Sequence, residues 1–293
     1  MIFTPPPKLR ALALAFLRKI SKRRSRRGMW RALPFSRNAI TDFAITRRRS
    51  AGCTPHLDFD LIGAQTEAAH EIGVLAPVYI TAGWSAGDAD AHPEWVMKRR
   101  DGSPIATPNY KTEDPDAPLG HCAWQLLCLN DGAYARHIYE ITEEICTRYP
   151  RLDGLFYDIC TNGSACFCDE CRAGMKEMGL DPESDADAKK YFKIKHRAFM
   201  QKCCDILKKY HPTATVFFNS TVGQYNPEYH EFDSQYEMEN LPTAWGGYNT
   251  LPLRAKVFSH KGKPVVGMTG KFHRDWGEFG GFCAPHRQAE GMA

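Results

Sequence analysis

Residues 153–160 read DGLFYDIC, and this short stretch decides the fold class. Its apolar and aromatic residues favour β-structure, so a strand is predicted over residues 155–159. A helix is predicted immediately before it, over residues 131–149, because isoleucines recur there at spacings of three and four. A helix that leads through Asp153-Gly154 into a buried strand is typical of an α/β fold.

The same alternation continues on both sides of this stretch. Further helices are predicted over residues 61–72, 189–210 and 252–260, and further strands over residues 76–80, 215–219, 235–238 and 264–268. Five strands separated mainly by helices predict a parallel α/β sheet. The length of 293 residues suits one large domain of this class.

Composition and charge exclude several other classes. With 43% apolar residues the chain is not disordered throughout, and it has no apolar run of about 18 residues that would span a membrane. The net charge of +4 is uneven, because residues 1–50 hold 14 Lys and Arg against the single acid Asp42. That segment carries +13 and the remainder −9, so the main body of the chain is acidic.

The basic segment is interpreted as a leader over residues 1–53, disordered or non-native. A transit peptide or a nucleic-acid-binding arm is the alternative. A secretory signal is not predicted, because charged residues follow Leu17 where a cleavage site would be needed. Eleven cysteines without such a signal favour a reducing compartment, and we expect the cytoplasm.

Polar and aromatic residues collect where the predicted strands end. The carboxyl ends of parallel strands share one edge of a sheet, so these side chains are expected to converge. Aromatic rings stack on sugar rings and polar groups bind hydroxyls, so the set predicts a carbohydrate site. The residues predicted to bind the sugar are Trp84, Tyr157, Asn219, Trp245, Tyr248, Lys271, His273 and Trp276.

Three carboxylates are candidates for catalysis. Asp158 leaves a buried strand end, where a fixed anion can attack an oxocarbenium-like centre; the alternative is an aspartate that caps the next helix. Glu237 and Glu239 are two residues apart on a predicted strand and point to the same side, so either can supply the acid/base. The sequence leaves this choice open.

Four cysteines follow Asp158 closely, at positions Cys160, Cys166, Cys168 and Cys171. Four thiols within twelve residues can form a structural zinc site, and two of them have the two-residue spacing common among zinc ligands. Packed thiols without metal are the equal alternative. The remaining cysteines, including Cys128, are predicted to be core residues.

Four stretches together resemble a group of glycoside hydrolases related to family 29 α-L-fucosidases, whose larger members carry a β-galactosidase-type trimerisation region. They read APVYITAGWS with HPEW at 76–85 and 92–95, DGLFYDIC at 153–160, EMENLPTAWGGY at 237–248 and GMTGKFH at 267–273. The resemblance implies a (β/α)8 TIM barrel and a retaining glycosidase that needs no cofactor for catalysis. By that resemblance Asp158 matches the nucleophile at the end of strand four.

The resemblance also implies elements beyond those predicted. Only strands three to seven of a barrel of eight are recognised, so residues 54–293 are expected to form a partial TIM-barrel glycosidase domain and the chain to be a fragment. The expected partner is an oligosaccharide or glycoside, with homo-oligomers in a full-length form; neither a membrane nor a nucleic acid is expected. The alternative function is a catalytically inactive carbohydrate-binding or zinc-stabilised scaffold.

Overall fold

The computed structural model describes residues 35–36, 60–106, 125–160, 165–219, 227–240 and 247–269. The chain divides into two compact units, Met1–Ala214 and Thr215–Ala293. Each unit has its own helices and parallel strands. The described residues thus form a mixed α/β structure, as the alternating pattern predicts.

The first unit alternates strands with helices. Its elements in chain order are β1 (Phe35–Ser36), α1 (Leu61–Glu71), β2 (Val78–Thr81), α2 (Ala86–Ala91), a 3-10 turn (Pro93–Trp95), α3 (Ala133–Arg148), β3 (Gly154–Asp158), α4 (Asp169–Glu177) and α5 (Asp185–Tyr210). β2 pairs in parallel with β1 on one side and with β3 on the other. Parallel neighbours need a long crossover connection, and α3 lies in the one between β2 and β3.

β3 is buried along nearly its whole length. The residues from Gly154 to Tyr157 are buried, and Asp158 at the carboxyl end is the first that solvent reaches. Ile80 and Thr81 of β2 are the register partners of Tyr157 and Asp158, so the two strands end side by side. An unbroken apolar strand of this kind belongs in a parallel sheet that is covered on both faces.

Helices α3 and α5 cover one face of β3. Ile138, Ile141 and Ile145 of α3 are all buried, which confirms the spacing argument for this helix. From α5, Phe199 meets the Tyr157 ring edge-on, with the ring centroids 6.5 Å apart. Burying these apolar side chains is the main contribution to the stability of this layer.

α5 begins four residues earlier than the sequence pattern predicts. The Ser184 hydroxyl oxygen accepts a hydrogen bond from the Asp187 backbone N–H at 3.2 Å and caps the helix. Asp185 and Asp187 in the first turn, and Lys208 and Lys209 in the last, oppose the partial charges at the helix ends. The extra turn is therefore stabilised by capping and charge rather than by apolar spacing.

Three strands and one helix are found within the described residues of the second unit. They are β4 (Thr215–Phe218), a 3-10 turn (Pro227–Tyr229), β5 (Tyr236–Asn240), α6 (Gly247–Phe258) and β6 (Val265–Thr269). β5 and β6 pair in parallel, from Tyr236 opposite Val265 to Asn240 opposite Thr269. Phe258 of α6 packs against Tyr236, with ring centroids 4.9 Å apart, and so holds the helix on β5.

The predicted elements are found, with shifted boundaries. All five predicted strands are present within two residues of their expected ends, and the four predicted helices are present. The predicted start of α6 at Pro252 is wrong: the helix begins at Gly247, and Pro252 lies inside it. The prediction placed the proline at the helix start because proline is common in the first turn of helices. A sixth strand, Phe35–Ser36, falls within the segment interpreted as a leader. No helix within the described ranges is long and apolar enough to cross a membrane.

His196 gives the first unit a specific sensitivity to acid. Its ring lies 3.8 Å from that of Phe192, and burial lowers its pKa from 6.5 to about 3. The unfolded chain therefore takes up a proton below pH 6.5 that the folded chain refuses, and stability falls as the pH drops from 6.5 towards 3. We expect this histidine alone to remove about 2 kcal/mol of stability between pH 7 and pH 5.

Urea unfolding at pH 7 and pH 5 tests this expectation. His196→Leu should flatten the dependence on pH relative to the unmodified chain. An identical pH dependence in the His196 variant and the unmodified chain would contradict the assignment.

Candidate functional site

Hydrogen bonds from Tyr79 and from the adjacent backbone orient the Asp158 side chain at the carboxyl end of β3. The Tyr79 hydroxyl of β2 donates to Oδ2, and the Ile159 backbone N–H donates to Oδ1 at 3.0 Å. The Tyr79 ring in turn stacks on Phe156, with centroids 5.3 Å apart. Both carboxylate oxygens are therefore oriented, and the side chain is only partly buried, so a molecule in solution can reach it.

The chain turns sharply after Asp158. Ile159 has φ +57°, a left-handed conformation that is costly for a β-branched residue. The Asp158 carbonyl oxygen accepts hydrogen bonds from the backbone N–H groups of Ala82 and Gly83, at 3.0 and 3.1 Å. A Cβ on Gly83 would lie 1.9 Å from the Ile159 carbonyl oxygen, so only glycine fits there. The exit of β2 thus clamps the strained turn that presents Asp158.

Tyr157 lies on the opposite face of β3 from Asp158. Its side chain is fully buried, and its hydroxyl is 2.8 Å from the Thr142 hydroxyl of α3. Alternation along a strand sends neighbouring side chains to opposite faces, so this ring points to the helices. Burial also raises the pKa of Tyr157 well above its usual range. The sequence-based prediction of Tyr157 as a sugar-binding residue is corrected: it is a core residue.

The aromatic residues after β2 pack against the protein. Trp84 is half-buried and lies against the apolar cluster around Leu126 and Met97. Trp95 stacks with His92, with centroids 3.8 Å apart, and contacts the rings of Tyr134 and His137. Trp84 therefore has a packing contact that explains its position.

Asn219 and Glu239 come together in the second unit. Asn219 follows β4 and is buried, and its amide nitrogen donates to Glu239 Oε2 at 3.0 Å. Glu237 lies two residues earlier on β5 and, like Glu239, is half-buried. Glu239, one of the two predicted acid/base candidates, is thus oriented by the side chain that follows β4.

Several predicted sugar-binding residues lie outside the described residues. These are Trp245, Lys271, His273 and Trp276. Tyr248 belongs to the first turn of α6, but its side chain is outside the described set. These residues remain predictions.

Four buried cysteines of the first unit form a compact group, the thiol cluster. Its members are Cys128, Cys166, Cys168 and Cys171, and their sulfur atoms all lie within 4.8 Å of one another. Cys160 is buried but does not belong to the group, and Cys128, predicted as a core residue, takes its place. The sequence-based set is corrected at this one member. Local spacing missed Cys128 because it precedes the other three by 38 residues or more.

Backbone hydrogen bonds bring the two cysteine segments together. The Cys128 N–H donates to the Trp95 carbonyl oxygen at 2.9 Å, and the Phe167 N–H donates to that of Lys98, also at 2.9 Å. Both segments are therefore bound to the same stretch, residues 95–98. Hydrogen bonding with Cys128, Cys166 and Cys171 lowers the pKa of the Cys168 thiol. Hydrogen bonding with Cys166, Cys168 and Cys171 raises the pKa of Cys128 well above its usual range.

Residues 41–159 match the sequence model of the family described as hypothetical glycosyl hydrolase 6. The matched segment ends one residue after Asp158 and contains β2 and β3. No curated protein sequence matches the chain significantly.

Solved structures extend the comparison to nearly the whole chain. The structure is similar to α-L-fucosidase isoenzyme 2 from Paenibacillus thiaminolyticus, with a TM-score of 0.76 and 28% identity over 92% of this chain. It also resembles the glycoside hydrolase domain of PgaB from Bordetella bronchiseptica, with TM-score 0.61 and 12% identity over 91% of this chain and 80% of that domain.

A β-galactosidase from Rahnella sp. R3 is a third similar structure, with TM-score 0.59 and 12% identity over 90% of this chain. The chain spans 38% of the length of the fucosidase and 42% of that of the β-galactosidase. The predicted resemblance to fucosidase-related glycoside hydrolases is thereby confirmed, and the fold is similar to that of glycoside hydrolases.

The clamp at Gly83 predicts an unusually costly substitution. Gly83→Ala places a methyl group against the Ile159 carbonyl oxygen, and we expect it to lower the free energy of unfolding by about 3 kcal/mol. Gly73→Ala is the matched control, because Gly73 has φ +74° but open space around it, and should cost about 1 kcal/mol. Urea unfolding measures both; equal costs would show that the contact with Ile159 is unimportant.

Proposed function

We propose that this chain is a glycoside hydrolase of the retaining, α-L-fucosidase type. The similarity to the α-L-fucosidase of Paenibacillus thiaminolyticus, 28% identical over 92% of this chain, is the observation that carries the proposal. The match of residues 41–159 to a glycosyl hydrolase family supports it independently. The substrate is then a glycoside or oligosaccharide whose terminal sugar is an α-L-fucose or a close relative.

Asp158 is the proposed nucleophile. Its carboxylate attacks the anomeric carbon while the bond to the leaving oxygen breaks, and a covalent glycosyl ester forms. Tyr79 and the Ile159 N–H act as positioning groups, since they orient both oxygens of the carboxylate. An oriented anion at the open end of a buried strand suits this task, because little reorganisation is then needed during attack.

Glu239 is the proposed acid/base. In the first step its carboxyl group gives a proton to the leaving oxygen, and in the second its carboxylate takes a proton from the water that displaces Asp158 from the sugar. The hydrogen bond from Asn219 supports this role, since it fixes the Glu239 carboxyl group for both transfers. Glu237 is then a binding residue for a sugar hydroxyl.

Replacing the nucleophile tests the reaction class. With 4-nitrophenyl α-L-fucoside as substrate, Asp158→Ala should lower turnover about 1000-fold or more, because no covalent ester can form. Added azide should restore turnover and yield the fucosyl azide of inverted configuration. Asp169→Asn, which changes an exposed carboxylate of α4, should keep the original rate. Undiminished turnover in the Asp158 variant would exclude the assignment, and glycan binding without any turnover would favour an inactive scaffold.

Leaving-group dependence distinguishes the two glutamates. For a substrate with a poor leaving group, such as a disaccharide, Glu239→Gln should lower the hydrolysis rate about 100-fold more than for an activated aryl fucoside. Glu237→Gln should lower both rates by a similar factor, because it affects binding rather than proton transfer. The opposite pattern in the two variants would transfer the acid/base role to Glu237.

The cellular compartment proposed here is the cytoplasm, where cysteines stay reduced. Among the thiol cluster, the sulfur separations of 3.4 Å between Cys128 and Cys171 and 3.9 Å between Cys128 and Cys168 are far beyond the length of a disulfide bond. A cluster of unlinked thiols is stable in a reducing compartment.

A further inference from the structure

We infer that the thiol cluster, Cys128, Cys166, Cys168 and Cys171, is a structural site for a thiophilic divalent cation of the zinc class. The four sulfur atoms lie within 4.8 Å of one another and all four residues are buried. A tetrahedral zinc–thiolate site with bonds of about 2.3 Å requires sulfur separations of about 3.8 Å. The separations of 3.4 and 3.9 Å measured from Cys128 bracket that value.

The donor set selects the metal. Four sulfur ligands favour zinc over magnesium or calcium, which prefer oxygen ligands. Four protein ligands also close the coordination sphere, so water and substrate find no open position. The site therefore supplies stability rather than chemistry, and the inference stands whether or not the chain is a glycosidase.

The surroundings of the cluster contain the donors that thiolate ligands need. The Asn130 amide nitrogen donates to Cys171 Sγ at 3.3 Å, and the Cys168 backbone N–H lies 3.5 Å from Cys166 Sγ. Such N–H···S contacts spread the excess negative charge that four thiolates carry around a divalent cation. Outside them, buried apolar residues such as Met97, Leu126 and Met175 exclude water.

The position of the site explains what a metal would stabilise. Cys128 belongs to the segment after residue 125, and the other three ligands flank the start of α4, so one ion would cross-link two distant parts of the first unit. Ile159, the strained residue after Asp158, packs against the larger hydrophobic core that contains the four cysteines. A bound ion therefore stiffens the support of the turn that presents Asp158.

Two cysteine variants test the ligand set directly. The chain is purified without chelator, and its zinc content is measured by inductively coupled plasma mass spectrometry; we expect about one zinc per chain. Cys128→Ser should lower this at least about tenfold. Cys160→Ser is the matched control, a buried cysteine outside the cluster, and should keep the full metal content. Loss of zinc in the Cys160 variant with retention in the Cys128 variant would overturn the assignment.

A second measurement covers the case in which Cys128→Ser fails to fold. Cys128→His retains a ligand atom, and three thiolates with one imidazole still form a zinc site. Cobalt substituted into the unmodified chain should give the absorption of a tetrahedral four-thiolate site, and in the Cys128→His variant the sulfur-to-cobalt band should weaken by about a quarter. An unmodified chain that folds, takes up neither zinc nor cobalt, and keeps its melting temperature in chelator would show that the cluster is only a set of packed thiols.

Discussion

The contact between Gly83 and the Ile159 carbonyl oxygen is the constraint on which the rest of the candidate site depends. It joins the exits of β2 and β3, the two strands whose ends lie side by side. The Asp158 carbonyl oxygen accepts hydrogen bonds from the backbone N–H groups of Ala82 and Gly83. The strained residue Ile159 is therefore fixed both by these backbone hydrogen bonds and by close packing against Gly83. Strained conformations persist only where the surroundings overdetermine them, and they collect at functional sites.

The two faces of β3 have different surroundings. Tyr157 points to α3 and α5, where its ring packs edge-on against Phe199 and its hydroxyl hydrogen-bonds with that of Thr142. Phe156 and Asp158 point the other way, towards Tyr79. Because alternation along a strand is fixed by backbone geometry, Tyr157 and Asp158 must point to opposite faces of β3. Aromatic character alone therefore misassigned Tyr157 to sugar binding.

Sequence reasoning recovered the elements whose signal is local. Apolar spacing located α3 and the five longer strands, since burial of one face requires that spacing. It missed the first turn of α5, which depends on the Ser184 cap, and the two-residue strand Phe35–Ser36, which is too short to show alternation. Cys128 was missed as a cluster member because only tertiary pairing with residues 95–98 brings it to Cys171. Asp158 could be identified from the sequence as a strand-end carboxylate because it directly follows an apolar run.

The separation of Cys128 from the other cluster cysteines imposes an order on biosynthesis. The chain emerges from the ribosome with Cys128 first, then α3 and β3, and only afterwards Cys166, Cys168 and Cys171. Three late sulfur atoms can gather locally, but the fourth reaches them only after a long loop has closed, which carries an entropic cost that helix and strand formation reduce. The four cysteines therefore come together late in folding, after the helices and strands around β3 have packed in the first unit.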